Sequence, residues 1–124
     1  MKYDVIIIGG GAAGLGAALY SARYNLKTLI IAKEFGGTGN IAHKVDNWIG
    51  EPGITGMELM DKFVKHINDY DITRVESEVT NISKLSDNSF SVKADKTYRS
   101  KSVIYSLGMK HRKLEIPGEK KFAG

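Results

Sequence analysis

The stretch YDVIIIGGGAAGLGAALYSARYNLKTLIIAKE, residues 3–34, decides the fold of this chain. Residues 5–8 form an unbroken β-branched run, as expected for a parallel strand that is covered on both faces. The run ends in a glycine-rich turn with the spacing G-x-G-x-x-G, made by Gly9, Gly11 and Gly14. The alanine-rich segment that follows predicts a helix over about residues 11–24, and TLIIA at residues 28–32 predicts a second strand.

This turn predicts a site for the diphosphate of a dinucleotide. Gly9 permits a tight turn, Gly11 lets the backbone approach a pyrophosphate, and Gly14 lets the helix lie close to the strand. The amides of Gly11, Ala12 and Ala13 then lie at a helix N-terminus, where unpaired N–H groups and the positive end of the helix dipole favour a phosphate. A structural glycine turn without a ligand is the alternative.

The second strand ends near a carboxylate. An acid that binds a ribose hydroxyl is expected about 20 residues after the turn. Ala32 lies 18 residues after Gly14 and cannot do this, whereas Glu34 lies 20 residues after it and can. Between a strand and an alanine-rich helix, with an acid at this distance, the glycine pattern becomes a specific indication of dinucleotide binding.

Composition predicts one globular domain over residues 1–124, since 42% of the residues are hydrophobic and 26% are charged. The absence of cysteine excludes a disulfide framework, a thiolate metal site and a redox dithiol within this sequence. Without an apolar run of spanning length or an export signal, the expected location is cytoplasmic and no membrane association is expected. The net charge of +4 comes largely from a C-terminal group, which we interpret as solvated surface rather than a nucleic-acid patch: Lys110, His111, Arg112, Lys113, Lys120 and Lys121.

Residues 33–54 form a long glycine-rich connection of the kind that tends to be functional. The apolar residues expected to be buried in it are Ile41, Val45, Trp48 and Ile49. The polar residues expected to meet a ligand are His43, Asp46 and Asn47.

A second helix is predicted from Thr55, because Thr55 and Glu58 have the spacing of a capping box. Helical spacing then predicts one apolar stripe, interpreted as core, with His66 beside it as a surface histidine or a helix histidine with a hydrogen-bond partner. The stripe contains Met57, Met60, Val64 and Ile67, widened by Leu59, Phe63 and Tyr70.

The remaining sequence predicts strands. Residues 72–76 predict a short strand, and residues 79–85, 90–94 and 97–100 predict a three-stranded antiparallel meander. Residues 102–106 are apolar again and predict a separate strand that returns to the main sheet and ends at Leu107 and Gly108. The predicted fold class is therefore α/β, a Rossmann-like parallel sheet with a small antiparallel meander.

With these motifs in this order, the chain resembles the N-terminal, FAD-binding part of thioredoxin reductase-like flavoproteins, within the pyridine nucleotide-disulfide oxidoreductase group. The likeness covers essentially the whole sequence. Besides the opening YDVIIIGGGAAGL, it includes VDNWIG at residues 45–50, TGMEL at residues 55–59 and RKLEIPGE at residues 112–119.

The resemblance implies an FAD site and a flavin-dependent NAD(P)H oxidoreductase. By resemblance, Glu34 binds the adenosine ribose, Asn47 reaches the isoalloxazine ring and the backbone of Val79 meets the adenine. Gly108 belongs to the hinge before a second domain. The residues implied for the pyrophosphate are Gly9, Gly11, Ala12, Ala13 and Gly14, and those implied for the ribityl chain and flavin are Gly36, Gly37 and Thr38.

The sequence departs from the family pattern in four ways. Thr38 and Gly39 stand where the family often has Gln-Leu, and Ser106-Leu107-Gly108 stands for the usual Ala-Thr-Gly. The acid usually found at the strand end is missing. The sequence also stops before the NAD(P)H domain, its Cys-x-x-Cys and the returning segment that completes the FAD domain. We therefore expect an incomplete FAD/NAD(P)-binding fold: a fragment, a truncated gene product or one half of a split protein.

Alternatives follow from these departures. The first is a non-catalytic dinucleotide-binding module or a remnant that needs a partner chain; the second is the NAD domain of another dehydrogenase, which VDNWIG and TGMEL disfavour. NAD(P)H is expected as electron donor only if the second domain is supplied, and a homodimer is a further expectation. No catalytic residue is assigned, and His43, His66 and His111 are too scattered to predict a metal site.

Overall fold

The computed structural model describes residues 2–110 and 112–122. Within these ranges, the strands are β1 (Lys2–Gly10), β2 (Thr28–Phe35), β3 (Ile72–Glu76), β4 (Asn81–Lys84), β5 (Phe90–Lys93) and β6 (Thr97–Tyr105). The helices are α1 (Ala12–Arg23), α2 (Gly56–Ile67) and the short α3 (Glu119–Phe122), with a 3-10 helix at Gly37–Ile41. The strands form one sheet in the order β3-β2-β1-β6-β5-β4, which is parallel from β3 to β6 and antiparallel from β6 to β4. The predicted α/β class is confirmed.

The opening β1–α1–β2 unit forms as the sequence predicts. The helix runs between Gly11 as N-cap and Tyr24 as C-cap, within a residue of the expected bounds. Both faces of β1 are covered, because Ile6 belongs to a core cluster on one face and Ile7 to a cluster on the other, and both are fully buried. This two-sided burial is why residues 5–8 of the strand are all apolar rather than alternating.

The second helix starts with the predicted capping box. The backbone N–H of Glu58 donates to the Thr55 hydroxyl, and the Glu58 carboxylate accepts from the backbone N–H of Thr55. The predicted stripe is partly wrong, because Met57 is 61% exposed. The rest of the stripe is buried or half-buried as predicted, with Leu59, Met60 and Ile67 the buried members.

The connection before this helix is less buried than expected. Ile41, Trp48 and Ile49 are 75%, 49% and 99% exposed, so the prediction that they are core residues is wrong. Val45 is half-buried and forms an isolated bridge with Ile54. The apolar character of Ile41 and Ile49 therefore does not reflect burial among the described residues.

The meander is not a separate layer. The residues predicted as two strands, 97–100 and 102–106, form one strand, β6, that pairs with β5 on one side and with β1 on the other. The first half of β6 pairs antiparallel with β5, and β6 pairs parallel with β1 along most of its length. The predicted meander and the predicted parallel sheet are therefore one sheet. Among the described helices, none has the length and apolarity needed to cross a bilayer.

Candidate functional site

The carboxyl ends of β1, β2 and β6 lie together at one edge of the sheet. From β1 the chain passes through α1 to β2 on one side, while β6 pairs with β1 on the other side. The strand order therefore reverses at β1. In open α/β sheets, ligands bind outside the carboxyl ends of the strands at such a point.

The glycine turn lies at this edge and leaves no room for side chains on its inner side. Gly9 has a φ of 109°, in the region that favours glycine. A Cβ at Gly14 would overlap the carbonyl oxygen of Gly9, so α1 packs directly on the turn. The predicted tight turn at Gly9 and close packing at Gly14 are confirmed.

The outer side of the turn is open. Gly11 is the N-cap of α1 and contributes no side-chain hydrogen bond. The backbone N–H groups of Ala12 and Ala13, both exposed residues, meet no acceptor among the described residues. A Cβ at Gly11 would lie 4.0 Å from the carbonyl oxygen of Gly36, its nearest neighbour. The helix start thus offers unpaired donors next to free space, which suits an anion.

Ser106, just past β6, contacts the inner side of the turn. Its backbone N–H donates to the carbonyl oxygen of Ile8 at 2.9 Å. Its hydroxyl lies 2.9 Å from that same oxygen and 3.1 Å from the carbonyl oxygen of Gly9, and it donates to this pair. The sequence analysis noted only that Ser106-Leu107-Gly108 lacks the threonine hydroxyl of the family pattern. It did not predict that Ser106 contacts the turn.

The Gly36–Gly37 segment lies against the turn from the β2 side. The backbone N–H of Gly36 donates to the carbonyl oxygen of Gly10 at 2.8 Å. A Cβ at Gly37 would lie 3.3 Å from the Cα of Gly11, so the two backbones are in close approach. The structure therefore brings together the two glycine motifs that the resemblance assigns to one ligand.

Asn40 is a second contact that sequence reasoning missed. Gly36 has a φ of 99°, and a Cβ there would collide with the Asn40 carboxamide. The Asn40 side chain donates from Nδ2 to the carbonyl oxygen of Phe35 at 3.1 Å. The available signal was an asparagine shortly after two glycines, since short amide side chains often bond to nearby backbone.

Glu34 lies in a bulge beside the turn. Ile8 pairs with Ile31 and Gly10 pairs with Phe35, so residues 8–10 of β1 face residues 31–35 of β2. A Cβ at Gly10 would lie 2.9 Å from the Glu34 carbonyl oxygen, which shows how close the bulge is to the turn. The Glu34 side chain is exposed and pairs with none of the described residues.

The other predicted site residues come later in the chain than the glycine turn and the bulge. Thr38 follows Gly37 in the 3-10 helix and is exposed. Asn47 is exposed in the connection and forms no hydrogen bond with a described residue, and Gly108 is exposed past β6. Val79 is half-buried just before β4 and packs against one core cluster. These four residues stay predictions of ligand contact.

Other polar residues singled out in the sequence show no arrangement for catalysis. His43 is exposed, and Asp46 forms an ion pair with Lys44 at 3.0 Å. His66 is exposed, as predicted, with its ring centroid 6.1 Å from that of Tyr70. His111 lies outside the described residues.

A mainly apolar groove of about 300 Å³ runs between α1 and α2 and starts at the glycine turn. Ala12, at the start of α1, lines its end, and Trp48 contacts Phe63 across it with ring centroids 5.1 Å apart. The half-exposed Trp48 thus has its packing partner on α2.

Electrostatic perturbations lie away from the turn, whose residues 9–14 carry no titratable side chain. At the opposite end of β1, hydrogen bonds from Lys101 and from the backbone N–H of Lys27 lower the pKa of Asp4. Burial and the hydrogen bond to Asp95 raise the pKa of Tyr98 to about 12, in the antiparallel part of the sheet. The site therefore has the features of a binding cradle built from main chain, and no acid or base is held there.

Comparison with known proteins agrees with this geometry. The sequence profile of the family described as pyridine nucleotide-disulphide oxidoreductase matches residues 3–124. The chain belongs to this family. The resemblance to thioredoxin reductase-like flavoproteins that was inferred from the sequence is thereby confirmed.

Three curated relatives show how much of such proteins this chain covers. It is 39% identical to thioredoxin reductase from Treponema pallidum (strain Nichols) over 124 residues, covering 98% of this chain and 40% of the relative. It is 34% identical to thioredoxin reductase from Bacillus subtilis (strain 168) over 124 residues, covering 98% of this chain and 39% of the relative. An alkyl hydroperoxide reductase protein of Staphylococcus epidermidis is 42% identical over 120 residues, which are 94% of this chain and 24% of that relative.

A solved structure gives the same result for the fold. Lactococcus lactis thioredoxin reductase superimposes with a TM-score of 0.90 at 37% identity, covering 98% of this chain and 41% of that protein. The chain therefore spans well under half the length of these relatives.

Proposed function

We propose that this chain supplies the FAD-binding portion of a flavin-dependent NAD(P)H oxidoreductase that resembles thioredoxin reductase. The observation that carries the proposal is the opening at Gly11, where backbone N–H groups without acceptors border free space. A diphosphate fits this opening because it needs several donors and a close approach of the backbone.

In this proposal the residues have separate tasks. The turn from Gly9 to Gly14, with the amides of Gly11, Ala12 and Ala13, binds the diphosphate. Glu34 accepts from a hydroxyl of the adenosine ribose, which its exposed and unpaired carboxylate in the bulge beside the turn supports.

The remaining assignments follow the resemblance. Gly36, Gly37 and Thr38 border the ribityl chain and flavin, supported by the contact of Gly37 with Gly11. Asn47 reaches the isoalloxazine ring, the backbone of Val79 meets the adenine and Gly108 belongs to the hinge. The flavin, when bound, supplies hydride and electron chemistry, while the protein binds and orients it.

The test is substitution of Gly11 by valine. Because no atom lies closer than 4.0 Å to a Cβ at Gly11, the side chain enters the ligand space rather than the protein interior. We expect the wild-type protein to take up FAD and turn yellow. Gly11→Val should lose flavin absorbance and still unfold cooperatively in urea, with a free energy of unfolding lowered by about 1 kcal/mol because valine is a poorer N-cap than glycine. Gly16→Ala, which also fills open space but on the next turn of the helix, serves as the matched control.

Two results would contradict the proposal. The first is a wild-type protein that folds but stays colourless after incubation with excess FAD and removal of the unbound flavin. The second is a Gly11→Val protein that retains flavin with wild-type affinity, because the diphosphate would then bind elsewhere.

The alternative is a nucleotide-binding module without turnover, favoured by the absence of titratable side chains in residues 9–14. Steady-state oxidation of NAD(P)H, measured with the NAD(P)H domain supplied, separates the two, since a module binds FAD without oxidising the donor. A single domain over residues 1–124, a second chain or the remaining part of a longer protein as partner, a homodimer and a cytoplasmic location all stay predictions from the sequence.

A further inference from the structure

Three consecutive carbonyl groups of the glycine turn are held by residues outside it. The carbonyl oxygens of Ile8 and Gly9 accept from Ser106 on the β6 side, and the carbonyl oxygen of Gly10 accepts from the backbone N–H of Gly36 on the β2 side. When the carbonyls are fixed toward the protein, the peptide groups that follow have little freedom to rotate. The amides at the start of α1 then face outward.

Each flank has one side chain that adds to its backbone hydrogen bond. On the β6 side, the Ser106 hydroxyl adds hydrogen bonds that the ladder between β1 and β6 would not supply. On the β2 side, Gly36 takes up its positive φ with the Asn40 carboxamide packed against it and bonded to the Phe35 carbonyl oxygen at 3.1 Å. Neither side chain reaches the open outer side of the turn through any hydrogen bond in the structure.

We infer that Ser106 and Asn40 are a pair of positioning residues that hold the glycine turn from its two flanks in the conformation that binds a diphosphate. This inference rests on the proposed function. It identifies residues that set the affinity of the glycine turn for a diphosphate.

The experiment measures the affinity of the 124-residue chain for ADP and for adenosine by competition against FAD fluorescence. Ser106→Ala and Asn40→Ala are each expected to weaken ADP binding about threefold, and the double variant about tenfold, because one net hydrogen bond is lost on each independent flank. Adenosine binding should not change, since adenosine has no diphosphate. Ser106→Thr, which restores the hydroxyl, should recover ADP affinity.

The chain offers matched controls for both substitutions. Ser102→Ala removes a hydroxyl that donates to the Asp4 carbonyl oxygen at 2.8 Å, the same kind of β6-to-β1 bond at the opposite end of the strands. Asn81→Ala removes an exposed carboxamide that donates to the Ser83 hydroxyl at 2.9 Å. Both controls should leave the ratio of ADP to adenosine affinity unchanged.

The outcomes separate the two proposals. If the wild-type chain binds neither FAD nor ADP, the proposed function fails and the positioning role fails with it. If the wild type binds and the variants bind ADP equally well, or lose ADP and adenosine in the same proportion, only the positioning role is overturned. A variant that does not fold is replaced by Asn40→Ser or Ser106→Cys, for which the same shift in the affinity ratio is required.

Discussion

Residues 2–35 and residues 36–54 are neighbours along the chain but are held in place in different ways. In the first region, β1 and β2 pair along their length and isoleucines on both strands are fully buried. In the second region, regular structure is limited to the 3-10 helix and one isolated bridge, and Ile49 is almost wholly exposed. An isoleucine in a strand of the first region is thus buried, whereas Ile41 and Ile49 in the second region are exposed.

The largest test of this difference compares two isoleucines. Ile30→Ala should lower the free energy of unfolding by about 2–5 kcal/mol, because Ile30 is fully buried and its loss leaves a cavity. Ile49→Ala should change it by less than about 0.5 kcal/mol, as is usual for exposed positions. Urea denaturation of both variants is the measurement. Equal losses would show that residues 36–54 are packed as tightly as the sheet.

A second test uses two glycines of α1. Gly14→Ala should destabilise the protein by about 1–3 kcal/mol, because its Cβ would overlap the Gly9 carbonyl oxygen and backbone must move. Gly16→Ala should instead stabilise it by about 0.5–1 kcal/mol, because the site has space and alanine favours a helix. Thermal and urea unfolding both report whether each variant has a higher or a lower free energy of unfolding than the wild type. A tolerated Gly14→Ala would contradict the close packing of the helix on the turn.

A third test asks how firmly the connection is attached to α2. Trp48 and Phe63 are a tilted aromatic pair with centroids 5.1 Å apart, and such pairs contribute about 0.5–1.5 kcal/mol. Trp48→Ala should therefore cost at least about that much, because burial of half the side chain adds to the pair; the cost should be more than that of Ile49→Ala and less than that of Ile30→Ala. Tryptophan fluorescence of the wild type and urea unfolding of the variant check this order, and a loss as large as that of Ile30→Ala would reverse our view of the segment.

An effect confined to alkaline pH is expected at Tyr98, which packs on Tyr3 of the first region with ring centroids 6.4 Å apart. Burial, followed by the bond to Asp95, raises the pKa of Tyr98 to about 12 from an ordinary value near 10. The folded protein therefore keeps a proton that the unfolded chain loses, and stability should fall as the pH rises from about 10 to 12. Tyr98→Phe should show a shallower fall in urea titrations across this range. Parallel curves for the two proteins would refute the assignment.

The sequence was sufficient for features that depend on neighbouring residues. The helix bounds of α1, the turn at Gly9 and the capping box at Thr55 follow from spacing and local chemistry, and the structure has them nearly as expected. The contact of Gly37 with Gly11 was reached only through the family resemblance, because no local pattern relates two glycine motifs that are far apart in sequence.

Features that depend on distant pairing were missed. Residues 97–105 have a change of character at Lys101 that resembles a break, yet β6 is continuous because each half has a different partner strand. Ser106 was overlooked because its acceptors, Ile8 and Gly9, lie at the other end of the sequence. The exposure of Ile41 and Ile49 was misjudged because burial of a loop side chain depends on which other elements pack against the loop. The sequence of the loop does not contain that information.

The pairing of β6 with β1 has a consequence for the order of assembly. The Ser106 hydroxyl and the Ile8 carbonyl are 98 positions apart, so this contact closes one of the longest loops that the chain can make. During synthesis the glycine turn leaves the ribosome long before its β6 flank exists. A nucleotide that bound before β6 was synthesised would meet a glycine turn without the hydrogen bonds from Ser106. Those hydrogen bonds could form only after translation of β6 and Ser106.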